Sequence, residues 1–174
     1  MGIQFETDYN METLTAMAKG LRKTVRKKRS RRVHIFAAVV LILGLLTILA
    51  TTAGGEPLGA SGVVTLLAML VVILVTVFED RLNAWFARRR LLPGTEHAAA
   101  TFEEDGYVSA TGVTESRFSY AQIVAVAETA RYFVFALSSH HTQAYDKRTI
   151  RGGSVEDFRA FIAEKTGKLV EKIK

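Results

Sequence analysis

The stretches at residues 35–53 (IFAAVVLILGLLTILATTA) and 58–78 (LGASGVVTLLAMLVVILVTVF) decide the organisation of this 174-residue chain. Neither stretch contains a charged residue. As helices they would be about 28 and 31 Å long, and the hydrocarbon core of a bilayer is about 30 Å thick. A helix packed in a soluble core usually carries polar residues along one side, and these two stretches do not. The sequence therefore predicts two membrane-spanning helices.

The connection between the two stretches predicts their arrangement. Only the residues GGEP at 54–57 join them, so the two helices must form an antiparallel hairpin within residues 34–80. The connection has no Lys or Arg, whereas basic residues precede the first stretch and follow the second. Cytoplasmic segments carry the excess of Lys and Arg. We therefore predict a multi-pass protein of the plasma (inner) membrane, with both termini cytoplasmic and Glu56 outside.

Basic residues dominate the segment 1–33, which holds nine Lys or Arg against three Asp or Glu in a chain of net charge +6. This uneven distribution excludes a uniformly basic nucleic-acid-binding domain, and the run RKKRSRR at 26–32 has no interleaved aromatic residues for base stacking. Beyond setting the topology, the charges can contact anionic lipid headgroups. The predicted membrane-surface residues are Arg22, Lys23, Arg26, Lys27, Lys28, Arg29, Arg31, Arg32, Arg88, Arg89 and Arg90.

Within residues 1–33 the pattern predicts a short strand and then an amphipathic helix. Ile3 and Phe5 alternate with polar neighbours, which is typical of a strand. Asn10 is a suitable N-cap for a helix that becomes strongly basic towards Arg32. One interpretation places this basic helix on the cytoplasmic leaflet. A separate hypothesis adds the strand to a sheet formed by the C-terminal part of the chain.

Residues 97–174 predict a small cytoplasmic α+β domain, which follows a juxtamembrane linker at 81–96. Six short strand-like runs alternate with turn signals. The run RYFVFAL at 131–137 is apolar on both faces, which favours a central strand. Ser154 and Asp157 resemble a capping box, and the helix that they begin is expected to run to about Lys172. Its expected inward side comprises Phe158, Phe161, Ile162 and Leu169.

The layout and four stretches of this domain resemble the YcxB-like family of bacterial membrane proteins. The stretches are FEEDG from Phe102, YAQIVAVAET from Tyr120, RYFVFAL from Arg131 and YDKRTIRGGSVEDFRAFI from Tyr145. The resemblance implies a pleckstrin-homology-like (PH-like) antiparallel sheet or barrel closed by the C-terminal helix. It implies no settled activity and no catalytic residues.

No motif for catalysis, a metal or a cofactor is present in the sequence, and we predict none of these functions. His140 and His141 are adjacent, so on a strand their side chains would point to opposite faces and could not easily share a metal ion. Ser139, His140 and Asp146 are residue types of a catalytic triad, but no nucleophile-elbow motif accompanies them.

A basic rim near the end of the predicted sheet is a further candidate surface. It comprises Lys147, Arg148 and Arg151. Two interpretations stay open for it, a solvated rim and a contact with phospholipid headgroups or an acidic partner.

The sequence favours a non-enzymatic membrane protein whose hairpin tethers a small interaction domain to the cytoplasmic face. Its expected partners are membrane lipids and either an unknown protein or a second copy of the chain, and not nucleic acid. In the alternative interpretation, the chain is an accessory or immunity-type subunit. Its hairpin would then pack on a transporter or intercept a membrane-active toxin.

Overall fold

The computed structural model describes residues 2–55 and 57–173, and over these residues the chain is an α+β protein. Glu56, which the sequence analysis places outside the membrane, lies outside the described residues. The helices are α1 (Met11–Lys23), α2 (Lys27–Ala53), α3 (Ala60–Val77), α4 (Glu79–Arg89) and α5 (Val155–Thr166). The strands are β1 (Ile3–Asp8), β2 (His97–Phe102), β3 (Tyr107–Thr111), β4 (Glu115–Phe118), β5 (Ala125–Glu128), β6 (Tyr132–Ala136), β7 (Thr142–Asp146) and β8 (Val170–Lys172).

Two compact units make up the chain. One is Lys28–Leu82, which contains most of α2, all of α3 and the start of α4. The other combines Met1–Lys27 with Asn83–Lys174, so it draws on both ends of the chain, and it is called the β-sheet unit below.

The first sheet has the strand order β1-β2-β3-β4, and all its pairs are antiparallel. β1 pairs with β2 along its whole length, from Ile3 opposite Phe102 to Asp8 opposite His97. The N-terminal strand therefore joins the C-terminal sheet, as the alternation of Ile3 and Phe5 suggested. Everything between residues 8 and 97 is an insertion between two paired strands.

The second sheet has the order β7-β6-β5-β8, with β8 parallel to β5. Here the expected helix to Lys172 is wrong, because α5 ends at Thr166 and Gly167 adopts a left-handed conformation with φ 64°. Such a glycine ends a helix and reverses the chain, which then returns as β8. Leu169, expected on the inward side of the helix, is 88% exposed. The two sheets share no strand among the described residues, so the expected barrel does not close.

An aromatic core lies between the two sheets and α5. Phe102 has ring contacts with Phe5, Tyr107, Tyr145 and Phe158, at centroid distances of 4.8 to 5.8 Å. The phenols of Tyr107 and Tyr145 both donate to Gln143 Oε1 at 2.7 Å. Burial raises the pKa of both phenols well above the ordinary value. These hydroxyls therefore stay protonated and act as structural donors.

β6 is buried on both faces, as expected for a central strand. Phe133 and Phe135 face the aromatic core, while Tyr132 and Val134 belong to a second apolar cluster that packs against α1.

α1 differs from the leaflet helix that one interpretation of the sequence proposed. Asn10 caps it, accepting from the backbone N–H of Glu12 and Thr13 at 2.9 and 3.0 Å. Its apolar side, including the buried Leu14 and Leu21, packs on the second sheet rather than facing lipid. The helix ends at Lys23, not near Arg32, and most of the basic run lies in the first turns of α2.

Gly20 allows the close approach of α1 to β6. A Cβ atom at position 20 would lie 2.7 Å from Val134 Cγ1, which is too close for two carbon atoms in a packed core. We expect Gly20→Val to lower the free energy of unfolding by about 2 kcal/mol, as overpacking of a core typically does. Chemical denaturation of the purified protein measures the change. Adding Val134→Ala should restore part of the loss, and an equal loss in the double variant would contradict this packing.

α2 and α3 are long and apolar enough, by length and composition, to cross a membrane. Few residues of either helix are buried within the chain, and large residues such as Phe36, Val64 and Val77 are more than 60% exposed. The threonines within them, such as Thr47 and Thr65, donate to carbonyls one turn earlier in the same helix. Their hydroxyls therefore need no water.

Candidate functional site

The basic residues from Arg117 to Lys165 are held in ion pairs. Arg159 and Lys147 both bind the buried carboxylate of Glu128, at 2.7 and 2.6 Å. Arg131 and Arg148 bind the buried carboxylate of Asp146, at 2.8 and 3.0 Å. Arg131 also pairs with Glu12 of α1. These contacts fix the ends of β5 and β7 to α5 and α1.

Glu128 is the most perturbed carboxyl of this network. Hydrogen bonds from Arg159, opposed by burial and reinforced by Lys147, lower its pKa to about 2. It is therefore charged throughout the physiological range, which suits a structural anchor rather than a proton donor.

The three residues of the predicted rim have different environments. Lys147 is 12% exposed, and its ammonium group donates to Glu128 and to the carbonyl of Thr129, so it has little surface to offer a headgroup. Arg148 is exposed but paired with Asp146. Arg151 is exposed and lies 3.4 Å from Glu6. The structure thus spreads the rim over three separate ion pairs.

The basic residues beside α2 and α3 are different, because they have no acidic partner. Across residues 2–55 and 57–173, no carboxylate lies within 4.0 Å of the following basic side chains. They are Lys23, Lys27, Lys28, Arg29, Arg31, Arg32, Arg81, Arg88, Arg89 and Arg90, and all of them are exposed. Arg22 is half-buried and makes further interactions. A set of solvated, unneutralised cations at the ends of apolar helices is the chain's clearest candidate for an interaction surface.

Arg26, also predicted for the membrane surface, instead contacts the hairpin between β6 and β7. Its Nε donates to the carbonyl of Ser139 at 2.7 Å, and its Nη2 donates to His140 Nδ1 at 2.9 Å. This contact attaches the loop at residues 138–141 to the residue that precedes α2.

The arginines at the end of α4 accompany an exposed aromatic pair. The guanidinium carbon of Arg89 lies 3.6 Å from the ring centroid of Trp85, and Trp85 contacts Phe86 edge-to-face at 4.9 Å. Trp85 and Phe86 are 41% and 52% exposed. Ala84, on the opposite side of the helix, is fully buried.

His140 and His141 do not form a metal site with other residues that the structure describes. Within the described part of the chain, no group of three or more His, Asp or Glu side chains gathers around one point. His140 accepts from Arg26, and His141 lies 6.4 Å from the ring of Phe118. His140 and Asp146 lie at opposite ends of β7, so the structure does not assemble the triad types.

A cleft of about 320 Å³ lies between α1, the β3–β4 hairpin and β7. Ser109, Thr111, Ser116 and Thr142 contribute hydroxyl groups to its wall, and Tyr9 borders it. Burial raises the pKa of Tyr9 to about 12. The cleft contains no charged cluster, and no feature of the sequence pointed to it, because its residues come from four separate segments.

Comparisons with known proteins identify one segment of the chain. No curated protein and no solved structure matches it. The model of the family described as YcxB-like protein matches residues 102–162, which run from the end of β2 into α5. This confirms the resemblance seen in the sequence, and residues 102–162 are a YcxB-like segment.

Proposed function

We propose that the chain is a non-enzymatic integral membrane protein whose hairpin, α2 and α3, tethers the β-sheet unit to the cytoplasmic face of a bacterial plasma membrane. The observation that carries this proposal is the outward apolar surface of both helices. In water such a surface would be an aggregation liability, because monomeric soluble proteins rarely expose large apolar patches.

The distribution of charge supports the same orientation for both termini. The unpaired basic residues lie just before α2, in its first turns and after α3, and the connection at 54–57 has none. Exposed cations that lack acidic partners are suited to anionic headgroups, since each contributes about 1 kcal/mol near such a surface.

The tethered unit is proposed to be an interaction domain of the PH-like type. Its support is the arrangement of a four-stranded antiparallel meander, a second antiparallel meander of β5, β6 and β7, and α5 over the aromatic core. α1 covers the outer face of the second sheet. The outer face of the first sheet, with Ala99, Val108 and Arg117, is therefore the larger surface left for a protein partner or a second copy.

Cysteine labelling tests the proposed topology without background, because the chain has no cysteine. In right-side-out spheroplasts, a membrane-impermeant maleimide should label a Gly59→Cys variant, since a side chain at position 59 meets open space. The matched Glu115→Cys variant, on the exposed strand β4, should be labelled only after the membrane is disrupted. Equal labelling of both variants in intact spheroplasts would overturn the orientation, and recovery of both in the soluble fraction would overturn the membrane assignment.

The accessory or immunity-type alternative makes a different prediction for a hairpin exchange. If the β-sheet unit recognises the partner, crosslinking should recover that partner after residues 35–78 are replaced by an unrelated two-helix hairpin. If the partner is lost after the exchange although the new hairpin inserts normally, the membrane helices recognise the partner, and the alternative is favoured.

A further inference from the structure

α4 has an exposed side with large apolar residues and a buried opposite side, as a helix in the membrane–water interface does. At 100° per residue, Leu82, Trp85, Phe86 and Arg89 fall within one stripe of its surface. Ala84, on the other side, is completely buried. The exposed aromatic stripe is therefore the side that the rest of the protein does not use.

The position of α4 in the chain brings this stripe to the end of α3. Only Phe78 separates Val77, the last residue of α3, from Glu79, the first of α4. Trp85 is seven residues beyond Phe78, which corresponds to about 10 Å of helix. If α3 spans the bilayer, Trp85 and Phe86 lie within reach of the headgroup layer, where aromatic side chains with a polar edge are favoured.

The three arginines at the end of α4 add a specific chemistry to this stripe. Arg89 stacks on the indole of Trp85, with its guanidinium carbon 3.6 Å from the ring centroid. Stacking occupies the face of the guanidinium group and leaves its N–H donors, which point outward in the plane, for a phosphate. Arg88 and Arg90 flank Arg89, and the turn continues to Arg90, whose N–H donates to Ala87 O at 3.0 Å. No carboxylate in the described part of the chain neutralises any of the three.

We propose that α4 and Arg90 form an interfacial anchor that binds the phosphate of an anionic phospholipid. Arg88, Arg89 and Arg90 hold the phosphate, while Leu82, Trp85 and Phe86 lie among the upper parts of the acyl chains. This inference rests on the proposed membrane tether and names the lipid chemistry that the tether recognises. The occupant is a lipid headgroup rather than a free phosphate, because the apolar stripe adjoins the cations.

The single tryptophan makes the anchor directly observable. Trp85 is the chain's only tryptophan, so its fluorescence reports on α4 alone. The full chain is reconstituted in nanodiscs of phosphatidylcholine, with phosphatidylglycerol added in steps and lipids brominated near the headgroup used as quenchers. We expect a blue shift of Trp85 emission and increasing quenching by the brominated lipids as phosphatidylglycerol is added.

Two charge-matched triple variants test the specificity. Arg88→Gln, Arg89→Gln and Arg90→Gln together should weaken the apparent affinity for phosphatidylglycerol by roughly ten-fold or more, since each arginine near an anionic leaflet contributes about five-fold. Arg117→Gln, Lys168→Gln and Lys172→Gln remove the same charge at positions away from α2 and α4, and should leave most of the response. Equal losses in the two variants would show attraction by net charge only and would overturn the assignment to α4.

Two other outcomes would also overturn the anchor. In the first, acrylamide quenches the fluorescence of Trp85 at every lipid composition and the brominated lipids never quench it. The other is the same blue shift with inorganic phosphate alone in phosphatidylcholine. Protection of a Leu67→Cys variant, in the middle of α3, from the impermeant maleimide in the same nanodiscs separates this failure from a failure of the tether, because it shows that the helix is inserted even when α4 lies free in water.

Discussion

Replacing Phe5 by alanine should destabilise the whole β-sheet unit, although Phe5 lies 97 residues before the nearest core residue of the YcxB-like segment, Phe102. Phe5 is 1% exposed, and its ring lies 4.6 Å from that of Phe158 and 5.8 Å from that of Phe102. Truncation of a buried phenylalanine typically costs about 3–5 kcal/mol. Because small domains have only about 5–15 kcal/mol of stability, this loss is a large part of the total.

Hydrogen exchange of the purified protein in detergent measures this effect segment by segment. We expect faster exchange in β2, β3, β6 and β7, together with a lower midpoint of urea unfolding. Gln4→Ala is the matched control, because Gln4 is the exposed neighbour of Phe5 on the same strand. If both variants unfold at the same midpoint, β1 is not part of the core.

Removing the carboxylate of Glu128 should have an effect of similar size for an electrostatic reason. In the Glu128→Gln variant, Lys147 would be buried without a counter-charge, and one of the two oxygens that accept from Arg159 would be replaced by an NH2 group that cannot accept. Breaking a buried ion pair from one side typically costs about 3–5 kcal/mol. Chemical unfolding at neutral pH measures the loss. Glu104→Gln is the control, because Glu104 pairs with Lys165 at the surface, where such pairs contribute about 0–1 kcal/mol.

The pH dependence of stability distinguishes this role from simple packing. The pKa of Glu128 is about 2 in the folded protein and lies near 4.5 for an ordinary glutamate. Its stabilisation is therefore complete above pH 4.5 and is lost as the pH falls towards 2. We expect the wild-type midpoint to fall more steeply than that of Glu128→Gln over this range. Parallel curves would contradict the assigned pKa.

Local patterns made the apolar helices, the β6 strand and the caps at Asn10 and Ser154 predictable. Each depends on residues within about one or two helical turns, or on alternation along one strand. The C-terminal end of α5 was missed because Phe158, Phe161 and Ile162 fit a helix that continues, and Gly167 ends it. A glycine within a helical pattern indicates such an end, but Leu169 fitted the same apolar side and favoured a helix that continued past Gly167.

Tertiary contacts explain the remaining differences. The apolar side of α1 looks the same in sequence whether it meets lipid or a sheet, and the decisive partner, Val134, is more than a hundred residues away. In the same way, Lys147 is a cation near a strand end, and its sequence neighbours do not reveal that Glu128 neutralises it. The unpaired state of Arg88, Arg89 and Arg90 is likewise a property of the folded chain, because it depends on where the carboxylates lie.

The pairing of β1 with β2 also sets an order of events during synthesis. β1 leaves the ribosome first, but its partner His97 is made 89 residues later. At about 5–20 residues per second, this delay is roughly 4–18 s. Both apolar helices are made during that interval, so under the proposed tether they are available for membrane insertion before the N-terminal strand has a partner. The first sheet can close only after both helices have been made, and a ribosome that stalls within them leaves Phe5 without its core partners and accessible to proteases.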